Sequence, residues 1–347
     1  MMMKNGKDRD YKKDFKIMVL RFILTMALIF FTVPVFAQRK ITVKLASLVP
    51  ENSPWGEFLN EIAREWKRIS NGEIELIIYH NRTAGKEDSV RRNLRSNQLQ
   101  MAVLSSFGLS EIVPEVMSLS CPFLIRNDAE LELVFNALRS DLESKINANG
   151  FFTLAWSNVG WVKVFSKQPV FVPADLKKQK LGTNADFDKL NHAFRSMGFQ
   201  MVPVAQDEIL IALSSPMVDA VYQSPIAVGG TQVFGLAQNM ASINIAPFMG
   251  AIVINQQTWR RIPDSYKPQL VEAVRKLEKA LDQKVKAFEA ELIKTMGNYG
   301  LKVNVLTQAQ EKLWYDEIER AMPGMIGTVI DKEMYTRIEA ILRAHRR

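Results

Sequence analysis

Cysteine is all but absent from this chain of 347 residues. Cys121 stands alone, so no disulfide can form within one copy and no thiolate cluster can bind a metal. Histidine is scarce too: His80, His192 and His345 are the only three, and none lies at helical or turn spacing from another metal ligand. Gly85-Lys86-Glu87 lacks the glycine spacing of a phosphate loop, and Gly229-Gly230 stands by itself. Neither Ser105-Ser106 nor Ser214-Ser215 sits in a Gly-x-Ser-x-Gly elbow. Neighbouring carboxylates such as Asp207-Glu208 fall where solvation or helix capping is the ordinary role. No catalytic chemistry, no cofactor and no metal is expected. In Leu119-Ser120-Cys121-Pro122-Phe123-Leu124 the cysteine reads as a small core residue.

The positive charge does not take the form that nucleic-acid binding requires. Of the net charge of +8, half lies in residues 1–37, where seven Lys and Arg face three Asp, and no later basic stripe is interleaved with aromatics. That N-terminus has the parts of a secretory signal: a basic start, an apolar run from Ile17 to Phe31, and small residues around Val35-Phe36-Ala37. Cleavage after Ala37 leaves Gln38 first, and translation from Met18 would make the leader compact. The apolar run is shorter than the ~20 residues of a spanning helix, which favours a removed leader over a retained membrane anchor.

A 47% hydrophobic composition with 24% charge describes an ordinary globular protein, long enough for two domains. Lys40 to Ala46 reads as a strand, Ser53-Pro54 opens a helix that Asn71-Gly72 stops, and Ile74, Leu76 and Ile78 alternate as a half-buried strand. A polar helix over residues 87–97 then leads to an apolar strand at Met101 to Leu104. This alternation predicts an α/β lobe with a parallel or mixed sheet. In such sheets ligands sit beyond the carboxyl ends of strands, which makes Leu48, Ser105, Ser106 and Phe107 candidates for lining a cleft.

The stretch from Leu154 to Asn184 holds two further strands with aromatics near their ends, and the alternation that follows predicts a second lobe. The longest element runs from about Ser265 to Met296. Leu270, Val274, Leu277, Leu281, Val285, Phe288, Leu292 and Met296 form one apolar stripe, over a helix of roughly 45 Å at 1.5 Å per residue, long enough to bridge two lobes. Thr307 caps a helix through Arg320, and Pro323-Gly324 separates it from a last helix. An exported protein of two α/β lobes without catalytic chemistry is most simply a receptor for a small solute.

Lys44-Leu45-Ala46-Ser47-Leu48-Val49-Pro50, Ser53-Pro54-Trp55, Ser70-Asn71-Gly72, Met101-Ala102-Val103, Val113-Pro114-Glu115, Cys121-Pro122-Phe123-Leu124, Pro173-Ala174-Asp175-Leu176-Lys177 and Val218-Asp219-Ala220 follow one order and spacing. In that ordered set the chain resembles the solute-binding (DctP-type) subunit of tripartite ATP-independent periplasmic (TRAP) transporters. The resemblance implies the two-lobe periplasmic binding protein fold, with crossing strands and a long helix spanning both lobes. On it, residues 38–159 with 248–287 form one lobe and residues 160–247 with 288–347 the other. It also implies a periplasmic location, solute bound in the cleft, hinge closure, and delivery to ion-gradient-driven membrane permease subunits.

The departures from the family pattern bear on the ligand. Organic-acid binders of the family carry an arginine in Leu-Lys-x-Leu-Lys-Ile-Arg, where its planar fork takes a carboxylate; the matching position here is Gly182. A second family arginine falls at Val162, after Gly160-Trp161. The family's Val-Asp-Gly-Gln-Glu-Asn-Pro matches only loosely, which points to Tyr222 and Gln223 as cleft residues, beside Asn184 at the end of the central stretch. Losing the fork leaves space at Gly182, and Trp156, Trp161, Tyr222, Phe248 and Met249 are candidates for an apolar wall. The expected ligand is apolar or amphipathic. Lys163 and Lys180 are candidate replacements for the lost charge, although strand alternation turns Lys163 away from the side used by position 162. The competing readings are an exported sensory or interaction protein, which in some TRAP systems works with a tetratricopeptide-repeat companion, and a hydrolase using Ser105 or Ser106.

Overall fold

The computed structural model describes Met18 and residues 40–184, 187–205 and 207–346. Met18 apart, the leader read in residues 1–37 and its cleavage after Ala37 lie outside the described residues. Alternating side chains place β1 (Ile41–Ala46) between two parallel neighbours, β2 (Ile74–Tyr79) and β3 (Met101–Ser105). Val43 and Leu45 are buried, while Thr42 and Lys44, which alternate with them, are exposed. Helix α1 (Pro54–Ile69) starts as the sequence predicts, with the Ser53 hydroxyl accepting the Gly56 N–H at 3.2 Å, and buries Phe58, Leu59, Ile62 and Trp66 on one face. Asn71 and Gly72, both at positive φ, end it. Helix α2 (Glu87–Arg95) buries Val90 and Leu94, and α3 (Ser106–Ser110) follows directly from β3. A 3₁₀ turn over Pro114–Ser120 leads to α4 (Asp128–Ala148).

The two strands read in the central stretch are β4 (Phe151–Ser166) and β5 (Lys180–Asn184). β4 pairs antiparallel along its first part with β9 (Ala246–Asn255), which also pairs antiparallel with β3. Its last residues pair instead with β7 (Ala220–Gln223) and β8 (Asn239–Ala241). β5 lies parallel between β7 and β6 (Gln200–Val204), and β10 (Lys302–Asn304) adds to β8. The order β2-β1-β3-β9-β4-β7-β5-β6 thus has two parallel halves joined by the long strands β4 and β9. The fold is the two-lobe α/β arrangement with crossing strands. β4 is irregular between Asn158 and Trp161, where Gly160 has a φ of +116°.

In the second half, α5 (Pro173–Lys177), α6 (Asp188–Ser196), α7 (Ile209–Ser214) and α8 (Pro225–Thr231) connect the strands, and α9 (Gln256–Arg261) follows β9. The long helix α10 (Lys267–Asn298) buries Leu270, Val274, Leu281 and Val285 in the core of α1 and the first half. Near its end Met296 joins the core of Phe165, Val221 and Met240, so the helix spans both halves. Among the described residues no helix is long and apolar enough to cross a membrane.

Helix α11 (Gln308–Met325) begins at the predicted Thr307 cap, which the structure completes as a capping box with Gln310, but continues through Pro323, where a stop was expected. The proline falls in the last turn, so only one intrahelical bond is lost. α11 anchors to the second half through Trp314 Nε1 on the Phe171 carbonyl at 3.0 Å and through Lys177–Glu317 at 2.6 Å. The final helix α12 (Lys332–His345) packs instead on α4, with Arg337 on Asp141 at 2.7 Å and Arg346 on Glu130 at 2.8 Å.

A side chain at position 160 would have to adopt a left-handed backbone and place its Cβ against the Glu289 carboxylate. Gly160→Ala is expected to cost about 1–3 kcal/mol, read as a lower midpoint in a denaturant titration with unchanged slope.

Candidate functional site

The carboxyl ends of β1, β3, β5 and β7 carry Leu48, Ser105 to Phe107, Asn184 and Tyr222-Gln223, and β9 adds Phe248 and Met249. The structure gathers three phenylalanines here. The rings of Phe107 and Phe187 are stacked with centroids 3.4 Å apart and planes 13° from parallel. Phe248 lies 6.3 Å from Phe107 at a tilt of 39°. Phe107 follows β3 in the first half and Phe187 follows β5 in the second, so this contact joins the two. Sequence reasoning did not single out Phe187.

Serines hold Phe107 in place rather than presenting themselves as nucleophiles. The Ser105 hydroxyl accepts the Gly108 N–H at 3.3 Å, capping α3, and donates to Glu87 Oε2 at 2.8 Å; the Ser105 N–H donates to Glu87 Oε1 at 2.6 Å. The Ser106 hydroxyl donates to the Met249 carbonyl at 3.0 Å and lies 2.7 Å from the Ser120 hydroxyl, which reaches the Pro247 carbonyl at 2.9 Å. These bonds tie α3 to β9. Glu87 was also missed, and its partner lies far away in sequence. Burial pushes its carboxyl above the usual range, with the Ser105 donors, Arg82 and Arg91 pulling the other way. Among the described residues no group of three acidic, His or Cys side chains could hold a metal ion.

The expected space at Gly182 is not there. A Cβ at 182 would stand 2.8 Å from Val218 Cγ1 and 3.1 Å from Ile209 Cδ1, so two aliphatic side chains occupy the direction an arginine would take. Val162 is buried opposite Ala246. Trp156 is a core residue, 1% exposed, with its ring 5.5 Å from Phe135. Trp161 is held on the α4 side, its Nε1 donating to Asp128 Oδ1 at 2.9 Å. These two indoles therefore supply core and not cleft wall. Tyr222 is half-buried, 6.1 Å from Phe194, and burial raises its hydroxyl pKa. Gln223 pairs in register with Lys163, and Met249 is buried beside Ser106. Leu48 and Asn184 are half-buried, and the Asn184 carbonyl accepts the Phe187 N–H at 3.1 Å.

Neither candidate cation replaces the arginines. Lys163 is buried and donates to the Ser242 carbonyl and Asn244 Oδ1, both at 2.8 Å. Burial pushes its amine down to about 8, and Glu289 opposes the shift. Exposed Lys180 reaches the Pro216 carbonyl at 2.9 Å. At the rim, Lys86 and Asp207 approach to 3.8 Å, both largely exposed, so the pair is weak.

Behind the cleft, carboxylates of α10 hold the irregular part of β4. Glu278 Oε1 accepts the Trp156 N–H at 2.7 Å, Asp282 Oδ1 accepts the Ser157 hydroxyl at 2.6 Å, and Glu289 accepts the Trp161 N–H. A cavity of about 30 Å³ lies between Gly160, Trp161, Asp282, Lys286 and Glu289, room enough for a water. Among the described residues Glu289 Oε2 is buried there without a hydrogen-bond partner, and burial raises the carboxyl above its ordinary range, only partly offset by Lys163 and the Trp161 N–H; Asp128 adds to the rise.

Residues 45–326 match the family model described as bacterial extracellular solute-binding protein, family 7 (DctP). The 2,3-diketo-L-gulonate-binding periplasmic protein YiaO of Escherichia coli is 25% identical over 261 residues, 74% of this chain and 78% of that protein. The sialic acid-binding periplasmic protein SiaP of Vibrio cholerae is 23% identical over 286 residues, 81% of this chain and 88% of that one. Among solved structures, a TRAP periplasmic solute-binding protein from Sulfurospirillum deleyianum with bound succinate superposes with a TM-score of 0.78 at 20% identity, covering 86% of this chain and 98% of that one.

Two outcomes follow from the geometry. Gly182→Arg is expected to destabilise the protein by about 1–3 kcal/mol through overpacking, read in a denaturant titration, and adding Val218→Ala is expected to recover part of that. Glu289, with its folded-state carboxyl raised above 4.5, contributes most to stability when protonated and loses that contribution as pH rises through its folded value. Glu289→Gln is therefore expected to match the parent in melting temperature at about pH 4 and to exceed it increasingly toward about pH 8.

Proposed function

The chain belongs to the DctP family of bacterial extracellular solute-binding proteins, the periplasmic solute receptors of TRAP transporters, and we propose that its solute is an amphipathic organic acid. The receptor binds this acid between its two halves and delivers it to membrane permease subunits. The relatives' names supply the acid: 2,3-diketo-L-gulonate and sialic acid carry carboxylates, and so does the succinate of the related structure. This chain's own residues supply the apolar part.

The observation that carries the reading is the exchange at the cleft. Glycine and valine stand at the two arginine positions, Val218 and Ile209 fill the space beside Gly182, and Phe107, Phe187 and Phe248 line the strand ends. Without a buried guanidinium fork, a small dicarboxylate would lose its charge-assisted contacts and its water together. An acid with an apolar body recovers binding through the rings and keeps its charged end toward the wetter rim.

Closure turns on the crossing strands. β4 and β9 are shared by both halves, so the bulge at Gly160 is the place where one half rotates against the other. We assign residues 38–159 with 248–287 to one lobe and 160–247 with 288–347 to the other, α12 of the latter reaching back onto α4. Residues 1–37 are read as the export leader.

Native mass spectrometry of the protein purified from the periplasm without added ligand, followed by solvent extraction, tests the reading. The expected result is one stoichiometric acid with an apolar portion. Recovery of a small dicarboxylate such as succinate would overturn it.

A further inference from the structure

The Phe107–Phe187 contact is an unusual one for two protein rings. Aromatic pairs favour offset or edge-on arrangements with centroids several ångströms apart, because two ring faces carry the same sign of charge. Here the rings lie nearly face on, at 3.4 Å and 13°. The other aromatic contacts of the cleft follow the usual preference: Phe248 is tilted against Phe107, and Tyr222 is tilted against Phe194. A face-on pair is a less favourable arrangement than an offset or edge-on one.

Position sharpens the point. Each ring is half-buried and comes from a different half of the sheet, one fixed by the Ser105–Glu87 and Ser106–Met249 bonds, the other by the Asn184 carbonyl on the Phe187 N–H. Separating the halves along the ring normal would open a parallel-walled slot, with Phe248 tilted against the Phe107 wall. A flat ring entering it would touch both inner faces, and an electron-poor ring would face each phenylalanine with the favourable sign of charge.

We propose that Phe107 and Phe187 are two jaws of an aromatic clamp, and that the solute carries a planar aromatic ring that enters between them. This rests on the reading of the cleft as a site for an amphipathic acid, and narrows that acid to an aromatic one. The clamp exchanges one ring contact for two and takes both faces of the solute ring out of water. A saturated ring of the same size has no π face to offer.

The test is a calorimetric titration of the full chain with benzoate and with cyclohexanecarboxylate, which share carbon count and charge and differ in planarity. Benzoate is expected to bind about tenfold tighter or more. Phe187→Leu is expected to bring benzoate down to the level of the saturated acid while leaving the latter within about twofold, and Phe187→Tyr, which keeps a flat ring, to retain the preference. Phe107→Leu repeats the test from the other half, with thermal melts establishing that each variant is folded. Equal binding of the two acids, tighter binding of the saturated one, or a preference that both leucine variants leave intact would overturn the clamp and spare the amphipathic-acid reading. Binding of neither acid would overturn both.

Discussion

A strand that serves two sheets must give up ladder bonds where it passes from one to the other. β4 does this between Asn158 and Trp161, and the backbone groups released there cannot go unpaired in a protein interior. Asn158 turns its own side chain onto the Gly160 N–H at 3.1 Å, and Glu289 takes the Trp161 N–H. Glu278 and Asp282 hold the residues just before the bulge. The three carboxylates share one face of α10 by helical spacing, which requires a straight, continuous helix behind the junction. Its length is therefore tied to the strand it supports as much as to the two cores it joins.

The charges left after this accommodation shape the cleft. Lys163 is engaged with the Ser242 and Asn244 oxygens behind the crossing strands, and the Glu87 carboxylate is engaged with Ser105. Gly182 and Val162 stand where the family resemblance leads one to expect arginines. What remains at the strand ends is mostly carbon, with fixed polar groups serving as struts. Small acidic solutes depend on buried cations to offset the loss of their water, and apolar ones depend on area and shape.

Local features were readable before the fold was known. The Ser53-Pro54 cap, the Thr307 cap, the apolar stripe of α10 and the strand ends carrying Phe107 are each encoded within a few residues of themselves. The cleft was read less well, because its content depends on register between distant strands. Gly182 was found, but its filling was not: Val218 and Ile209 come from other elements, and only the pairing of Gly182 with Val221 brings them there. Trp156 and Trp161 were placed in the wall because strand alternation alone does not say which face is core, and the bulge at Gly160 changes the alternation between them. Phe187 has no local mark at all. It matters because of a ring that lies far off in the sequence.

The long helix α10 has a bearing on how strain travels through the molecule. Leu270, Val274, Leu281 and Val285 anchor it in one core and Met296 in another, so a load placed on either core passes to the other along one continuous rod rather than through loops.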